Sequence, residues 1–271
     1  MDYQFLKNNN IQVGKNVKIG NNVMFGKNII IGDNVKIDDF SRILSNVKIG
    51  SNSYIGAYVT LGEQGINYFK ENEENLKGKT IIGENALIRS YSVIYHSVKI
   101  GDNFQTGHRV TIREKAEIGN NTRIGTLSDI QGYCKIGNYV NLHSNVHIGQ
   151  KSKIEDCVWI FPYVVLTNDP TPPSENLYGV TVEKYAIIAT GSVVLPGITI
   201  KKEGFIGAGT VVSKNVEARS LVVGNPMKVL GTIDKIKDKI TGESHYPWQY
   251  KFDRGMPWEK IGYEEWLKSE E

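Results

Sequence analysis

A branched or bulky apolar residue recurs every six positions over most of the chain, in three runs that cover residues 13–61, 82–166 and 182–212. Glycine follows many of these apolar anchors, and the next two positions favour Asn and Asp, which tolerate the left-handed backbone conformations of tight turns. A period of six does not fit an α-helix, whose apolar face repeats every 3.6 residues. The pattern therefore predicts short β-strands, each followed by a turn.

Three six-residue units close a triangular coil, so residues 18 apart are expected to stack on adjacent coils, about 4.8 Å from one another. Side chains alternate along a strand, which places the apolar anchors and the residues two positions before them on the inner face. Thr106 alone breaks the apolar rule in the second run. The sequence thus predicts an all-β fold, a parallel β-helix of 18-residue triangular coils.

Two polar segments interrupt the period, and the end of the chain abandons it. Residues 63–79 and residues 168–181 are predicted to project from the β-helix as excursions, and loops on a rigid scaffold often carry function. Residues 224–240 predict a turn followed by a short helix, and the tail beyond them is rich in tryptophan. The predicted domains are a β-helix over 1–224 and a C-terminal cap with a short helix over 225–271.

Composition and charge limit the partners and the cellular compartment that we expect for this protein. The 271 residues carry a net charge of +3 without any block of Lys and Arg, so a nucleic-acid polymer is not an expected partner. The chain has no apolar signal region at its start and no apolar run long enough to span a bilayer, so we expect a cytoplasmic protein without a membrane partner. Cys134 and Cys157 form no CxxC pair and suit a reducing compartment.

The 18-residue spacing predicts which side chains lie next to one another on adjacent coils. One column of turn positions reads His96, Glu114, Gly132, Gln150 and Asn168. His96 and Glu114 are therefore predicted neighbours on adjacent coils, where a carboxylate can orient an imidazole and raise its basicity. His108 is six residues from Glu114, about one side of the triangle away, so these two side chains could meet only across a subunit interface.

Two stretches depart from the ordinary repeat in ways that suggest a site. Between residues 95 and 114 the Ile-Gly units give way to polar and ionisable groups, and local rules tend to fail at functional sites. In the third run the outward residues are small, namely Ala189, Gly191, Ala208 and Gly209. A smooth surface of this kind would let an extended ligand lie against the backbone.

The repeat over residues 13–216 resembles that of the hexapeptide-repeat acyltransferases. The resemblance implies a left-handed helix and a homotrimer with active sites at subunit interfaces. It also implies that the small-residue stretch lines the pantetheine arm of coenzyme A. The sequence Gly-Asn-Pro-Met-Lys resembles the Gly-Asn-Pro-Ala-Lys ending of the family, which would place Pro226 and Lys228 near the adenosine phosphates.

Residues 88–114 and 166–174 resemble more specifically a branch that N-acylates nucleotide-linked, typically dTDP-linked, amino-deoxy sugars. This resemblance implies an acyl-CoA co-substrate, with acetyl-CoA the first candidate, and no metal. We expect Glu114, alone or through His96, to hold and deprotonate the amine, with His108 as a further catalytic candidate. Arg89 and Arg113 are candidates for the diphosphate. The candidate substrate-binding residues are completed by Tyr95, Asn168 and Asp169.

Other functions remain open at this level. A hydroxyl acceptor would make the protein an O-acetyltransferase. A γ-type zinc carbonic anhydrase shares the fold and uses three histidines, for which His108, His143 and His147 are candidates. Their spacing is unfavourable, because 108 and 143 differ by 35 residues, one short of two full coils. A non-catalytic scaffold is the third alternative.

Overall fold

The computed structural model describes residues 3–65 and 78–270, and short parallel strands follow the three apolar runs. The first run forms β1 (Ile11–Val13), β2 (Lys18–Ile19), β3 (Met24–Phe25), β4 (Ile29–Ile31), β5 (Lys36–Ile37), β6 (Arg42–Ile43), β7 (Val47–Ile49), β8 (Tyr54–Ile55) and β9 (Thr60–Glu63). The second run forms β10 (Thr80–Ile82), β11 (Leu87–Ile88), β12 (Val93–Tyr95), β13 (Lys99–Ile100), β14 (Gln105–Thr106), β15 (Thr111–Ile112), β16 (Glu117–Ile118), β17 (Arg123–Ile124), β18 (Asp129–Ile130), β19 (Lys135–Ile136), β20 (Asn141–Leu142), β21 (His147–Ile148), β22 (Lys153–Ile154), β23 (Trp159–Ile160) and β24 (Val165–Leu166).

The third run forms β25 (Thr181–Val182), β26 (Ile187–Ile188), β27 (Val193–Val194), β28 (Thr199–Ile200), β29 (Phe205–Ile206) and β30 (Val211–Val212). Beyond it lie β31 (Ser220–Val223) and β32 (Lys228–Thr232). Two α-helices flank the strands, α1 (Tyr3–Asn8) before them and α2 (Tyr263–Glu270) after them. Single 3₁₀ turns occupy Ile233–Lys235 and Trp248–Tyr250.

Every third strand belongs to the same sheet, so the chain winds around three parallel sheets. Sheet A runs from β1 to β28, sheet B from β2 to β29 and then through β31 and β32, and sheet C from β3 to β30. Away from the excursions, the strands β1–β30 pair with a register of 18 residues, as Ile82 does with Ile100. This register confirms the predicted 18-residue coils, and the fold is a left-handed parallel β-helix. We call the turns after sheet B the B–C edge and those after sheet C the C–A edge.

The apolar anchors fill the interior of the helix. From Ile29 to Val212 the anchors are almost entirely buried, and the two free cysteines are buried as well. Thr106 is only 1% exposed, and its hydroxyl accepts the backbone N–H of Arg89 at 2.9 Å. The same coil carries Phe104, which is fully buried. A small polar anchor is thus tolerated because its hydroxyl has a partner and a large ring lies next to it.

The turns adopt the left-handed conformation that the Asn-rich pattern predicts. Asn16 and Asn34 have φ near +58°, at 57° and 58°, and the Asn16 side-chain amide donates to Asn34 on the next coil at 3.2 Å. This conformation costs a residue with a Cβ about 1–2 kcal/mol. Asparagine offsets part of the cost because its side chain forms hydrogen bonds from coil to coil.

The C-terminal segment differs from the expectation at one point. The short helix predicted within residues 224–240 is wrong, because β32 is an antiparallel strand whose Val229 pairs with Val222 of β31, and only the 3₁₀ turn Ile233–Lys235 follows it. Apolar residues spaced for one helix face also suit a short strand when a neighbouring edge is open. The tail packs on sheet B, where the Trp248 indole N–H donates to the Tyr185 carbonyl at 3.0 Å and Trp258 is buried.

Both excursions leave from the same place, the C–A edge. Most of the first excursion, residues 66–77, lies outside the described residues. The second follows β24 and returns at β25, and its Tyr178 amide donates to the Asn168 carbonyl at 2.8 Å. In the parts of the chain that the structure describes, no helix is long and apolar enough to cross a membrane.

The stacked core makes a direct prediction for stability. Ile130 is fully buried between coils, whereas Ile240 in the C-terminal segment is 95% exposed. We expect Ile130→Ala to lower the free energy of unfolding by about 2–5 kcal/mol because it leaves a cavity. Ile240→Ala is expected to change it by less than about 0.5 kcal/mol. Urea unfolding followed by circular dichroism measures both, and equal losses would contradict the assigned core.

Candidate active site

His96 and Glu114 come together on the C–A edge, between the two excursions. Both side chains surround Gly65: a Cβ on this glycine would lie 3.0 Å from His96 Nε2 and 3.4 Å from the Glu114 carboxyl carbon. The other ring nitrogen of His96, Nδ1, lies 3.0 Å from the Ser97 hydroxyl. His96 also lines a cavity of about 630 Å³ at the base of the first excursion. The column spacing thus places an imidazole and a carboxylate in one small region.

Glu114 is buried, at 7% exposure, and is held by the residue beside it. Arg113 donates from Nε to one carboxylate oxygen at 2.9 Å and from Nη2 to the other at 3.3 Å. The Arg113 guanidinium also lies over the Tyr95 ring, 4.9 Å from its centroid. The hydrogen bond to Glu114 raises the pKa of Arg113. The guanidinium that we expected to bind a diphosphate is therefore used, in this structure, to orient Glu114.

The start of the second excursion is organised by a carboxylate. Asp169 accepts hydrogen bonds from the Thr171 amide at 3.0 Å and from the Ser174 amide and hydroxyl at 2.8 and 2.7 Å. The Ser174 hydroxyl contributes most to lowering the pKa of Asp169. Asn168 lies next to it, in the column of His96 and Glu114. In the unliganded chain, Asp169 shapes the loop, and its substrate-binding role stays a prediction.

A second imidazole and carboxylate pair, which the sequence reading missed, lies on sheet C near the same edge. His147 Nδ1 is 3.1 Å from Asp129 Oδ2, and the Gln131 amide donates to the same oxygen at 2.7 Å. Burial of Asp129 opposes ionisation, but the hydrogen bonds from His147 and Gln131 outweigh it and lower the pKa of Asp129. The signal was available, because 129 and 147 are 18 apart, although on a strand face and not at a turn.

Arg89 and His108 lie elsewhere, on the B–C edge. The Arg89 guanidinium donates to the Thr106 carbonyl, and the His108 amide donates to the Thr126 hydroxyl at 3.2 Å. The His108 side chain is exposed. Within one chain these two residues are therefore not brought together with Glu114, as the column spacing predicted for His108.

The small-residue stretch continues the B–C edge toward the C-terminal coils. Gly191 and Gly209 have φ of 71° and 69°, and a Cβ on either would meet nothing within 4 Å. Their amides donate to the carbonyls of Pro162 and Thr190, both at 2.9 Å, and so are not available to a ligand. The turn residue that precedes Gly209, Ala208, does not donate its amide to a backbone carbonyl of the neighbouring coil. Ala189 belongs to the same edge and is half-buried. Two other predicted CoA contacts are exposed in the turn and strand that follow: Pro226 and Lys228.

The three histidines considered for zinc occupy different surroundings. His143 stacks on Phe161 with ring centroids 4.6 Å apart, His147 pairs with Asp129, and His108 lies on the B–C edge. Over residues 3–65 and 78–270, no three His, Cys, Asp or Glu side chains converge as metal ligands. Within the described part of one chain, these three histidines therefore do not form a triad.

Comparison with known families agrees with the repeat. The bacterial transferase hexapeptide family, described by six repeats, matches residues 10–43, 28–63, 79–114 and 115–150. Each matched stretch lies in the first two runs of coils, and the second pair of matches includes His96, Glu114 and Asp129. Residues 10–63 and 79–150 of the chain therefore match the bacterial transferase hexapeptide family.

The remaining comparisons concern the fold. No curated protein matches the sequence. A solved UDP-N-acetylglucosamine acyltransferase from Arabidopsis is 20% identical over 82% of this chain and 72% of its own, with a TM-score of 0.36. The Campylobacter jejuni enzyme of that description is 22% identical over 84% and 75%, with a TM-score of 0.30. PerB from Caulobacter crescentus, in complex with CoA and GDP-perosamine, is 21% identical over 65% and 71%, with a TM-score of 0.38. Sequence identities and TM-scores as low as these do not identify a substrate for this chain.

The lowered pKa of Asp129 makes a pH-dependent prediction. Because the pKa is lower in the folded chain, ionised Asp129 contributes stability above its unfolded pKa of about 3.8, and this contribution disappears as the pH falls through the folded value. We expect Asp129→Asn to be less stable than the wild type at pH 7, by less than about 1 kcal/mol because the pair is partly exposed. Below pH 3.8 the difference should shrink. Urea unfolding across pH 3–7 measures it, and a constant difference would contradict the pairing.

Proposed function

We propose that the protein is a CoA-dependent N-acyltransferase that moves an acyl group, acetyl as the first candidate, to the amine of a nucleotide-linked amino-deoxy sugar. We propose dTDP as the first candidate nucleotide. The observation that carries the proposal is the buried Glu114 carboxylate, fixed by Arg113 and adjacent to His96, between the two excursions of a hexapeptide-repeat helix. A fixed acceptor beside an imidazole suits an amine that must be oriented and then lose a proton.

The reaction would begin with attack of the sugar amine on the thioester carbonyl of acyl-CoA. A C–N bond forms, the C–S bond breaks, and the departing thiolate and the amine proton must be accommodated. Glu114, alone or through His96, holds the amine and accepts its proton, which then passes to the CoA thiolate. A backbone amide of the small-residue edge would stabilise the tetrahedral oxyanion. Positioning two substrates in this way can contribute several kcal/mol by itself.

A complete site would need two protomers. Glu114 lies on the C–A edge, whereas His108 and the small-residue stretch lie on the B–C edge, on the far side of sheet C. We propose a cytoplasmic homotrimer in which the C–A edge of one protomer faces the B–C edge of the next. This arrangement would bring the acceptor amine, held near Glu114, to the thioester end of a CoA lying along Ala189 and Ala208.

A thiol-release assay tests the proposed reaction. The purified chain is incubated with acetyl-CoA and longer acyl-CoAs against a panel of dTDP- and UDP-linked amino sugars, with the matching hydroxy sugars as O-acyl acceptors. We expect thiol release that depends on an amino sugar. Thiol release with hydroxy sugars alone would show O-acyl transfer instead of N-acyl transfer. No thiol release across the panel would refute acyl transfer.

The role of Glu114 is tested by Glu114→Gln. We expect kcat to fall by about 10²-fold or more, within the 10²–10⁴ range for a positioned acid–base group, with little change in the KM for acyl-CoA. The matched control is Glu117→Gln, which removes an exposed carboxylate that pairs with Lys99 on sheet A at 3.0 Å. The control should keep wild-type activity. Thermal unfolding checks that Glu114→Gln still folds, and a folded, fully active variant would remove the proposed role.

A further inference from the structure

A basic groove lies across sheet B and the B–C edge, where the C-terminal tail approaches the β-helix, and His108 forms part of its lining. Its volume is about 500 Å³, within the usual range for small-molecule sites. The tail contributes Arg254, and the β-helix contributes Arg89, Arg123, His143 and Trp159. Groups more than a hundred residues apart in the sequence therefore form one concave surface.

The three guanidinium groups of the groove have no carboxylate partner. Among the residues that the structure describes, no Asp or Glu oxygen lies within 4.0 Å of Arg89, Arg123 or Arg254, whereas Arg42, Arg113 and Arg219 all form ion pairs. Arg123 Nη2 lies beside Gly255 of the tail, 3.2 Å from where a Cβ would stand. The nearby Glu259 carboxylate accepts the Gly255 amide at 2.9 Å instead. Three unpaired cations converging on one groove favour an anion with several charges.

Aromatic rings form the other wall of the groove. His143 stacks on Phe161 and has its centroid 6.2 Å from that of Trp159. Burial lowers the pKa of His143, which favours the neutral ring. The Trp159 indole nitrogen is buried and has no hydrogen-bond acceptor among the residues that the structure describes, which costs free energy. Planar rings beside unpaired arginines suit a ligand with a flat base and phosphate groups.

We propose that the basic groove binds a nucleoside bearing two phosphate groups, with the phosphates on Arg89, Arg123 and Arg254 and the base against His143 and Trp159. The C-terminal tail is then part of a binding site through Arg254. Under the proposed function this ligand chemistry has two sources, the nucleotide of the acceptor sugar and the adenosine end of CoA. Only the choice between these sources rests on the proposed function.

Direct binding tests the groove without any acyl transfer. Calorimetry on the full chain measures the Kd of dTDP and, separately, of adenosine 3′,5′-bisphosphate. We expect at least one probe to bind and its Kd to rise about tenfold or more in Arg123→Gln and in Arg254→Gln, as for the loss of a charge-assisted hydrogen bond. The control is Lys135→Gln, which removes one positive charge from sheet A and should leave the Kd unchanged.

The two probes distinguish the acceptor nucleotide from the adenosine end of CoA as the ligand of the groove. A change for dTDP alone assigns the groove to the acceptor nucleotide, a change for the adenosine probe alone assigns it to CoA, and a change for both supports the shared chemistry. Binding of neither probe, or wild-type affinity in both arginine variants, overturns the proposal. Arginine-dependent binding without thiol release would refute the acyltransfer function and keep the groove.

Discussion

The backbone hydrogen bonds between adjacent coils are the constraint on which the rest of the structure depends. Among β1–β30, each short strand pairs with the strand 18 residues before it and the strand 18 residues after it, except where an excursion lengthens a coil. A strand of two residues has no stability alone, so the register is fixed by the sum of the pairings and by anchors such as Ile112 and Ile130. A one-residue slip would turn every anchor outward. The same rigidity lets a turn column hold His96 against Glu114 from successive coils.

The fold and the column geometry could be predicted from the sequence because both follow from one period. The proximity of His96 to Glu114 and the separation of His108 from both follow from the 18-residue period alone. The bidentate contact of Arg113 with Glu114 could not be predicted, because it depends on the side-chain rotamers of sequence neighbours. The strand at Lys228–Thr232 could not be predicted either, since it forms on an edge that β31 leaves open. Asp129 and His147 also follow the 18-residue register. They lie on a strand face and not at a turn, so the turn columns did not predict their contact.

The proposed site is distributed over two edges of the triangle. The C–A edge carries a carboxylate and an imidazole between two excursions, and the B–C edge carries His108 and then a smooth stretch of glycine and alanine. The tail adds a third element, because Arg254 reaches the groove that Arg89 and Arg123 line. A rigid helix cannot bring its own edges together, so the proposed reaction needs a neighbouring copy to supply the second edge.

Subunit complementation measures this requirement most directly. Glu114→Gln and His108→Gln protomers are purified, shown to be inactive as separate assemblies, then unfolded, mixed in equal amounts and refolded together. If each site takes Glu114 from one protomer and His108 from the next, about a quarter of the sites in the mixture are intact, and thiol release should return to about that fraction of the wild-type rate. A mixture that stays inactive, or a His108→Gln assembly with full activity by itself, would contradict a site shared between the two edges.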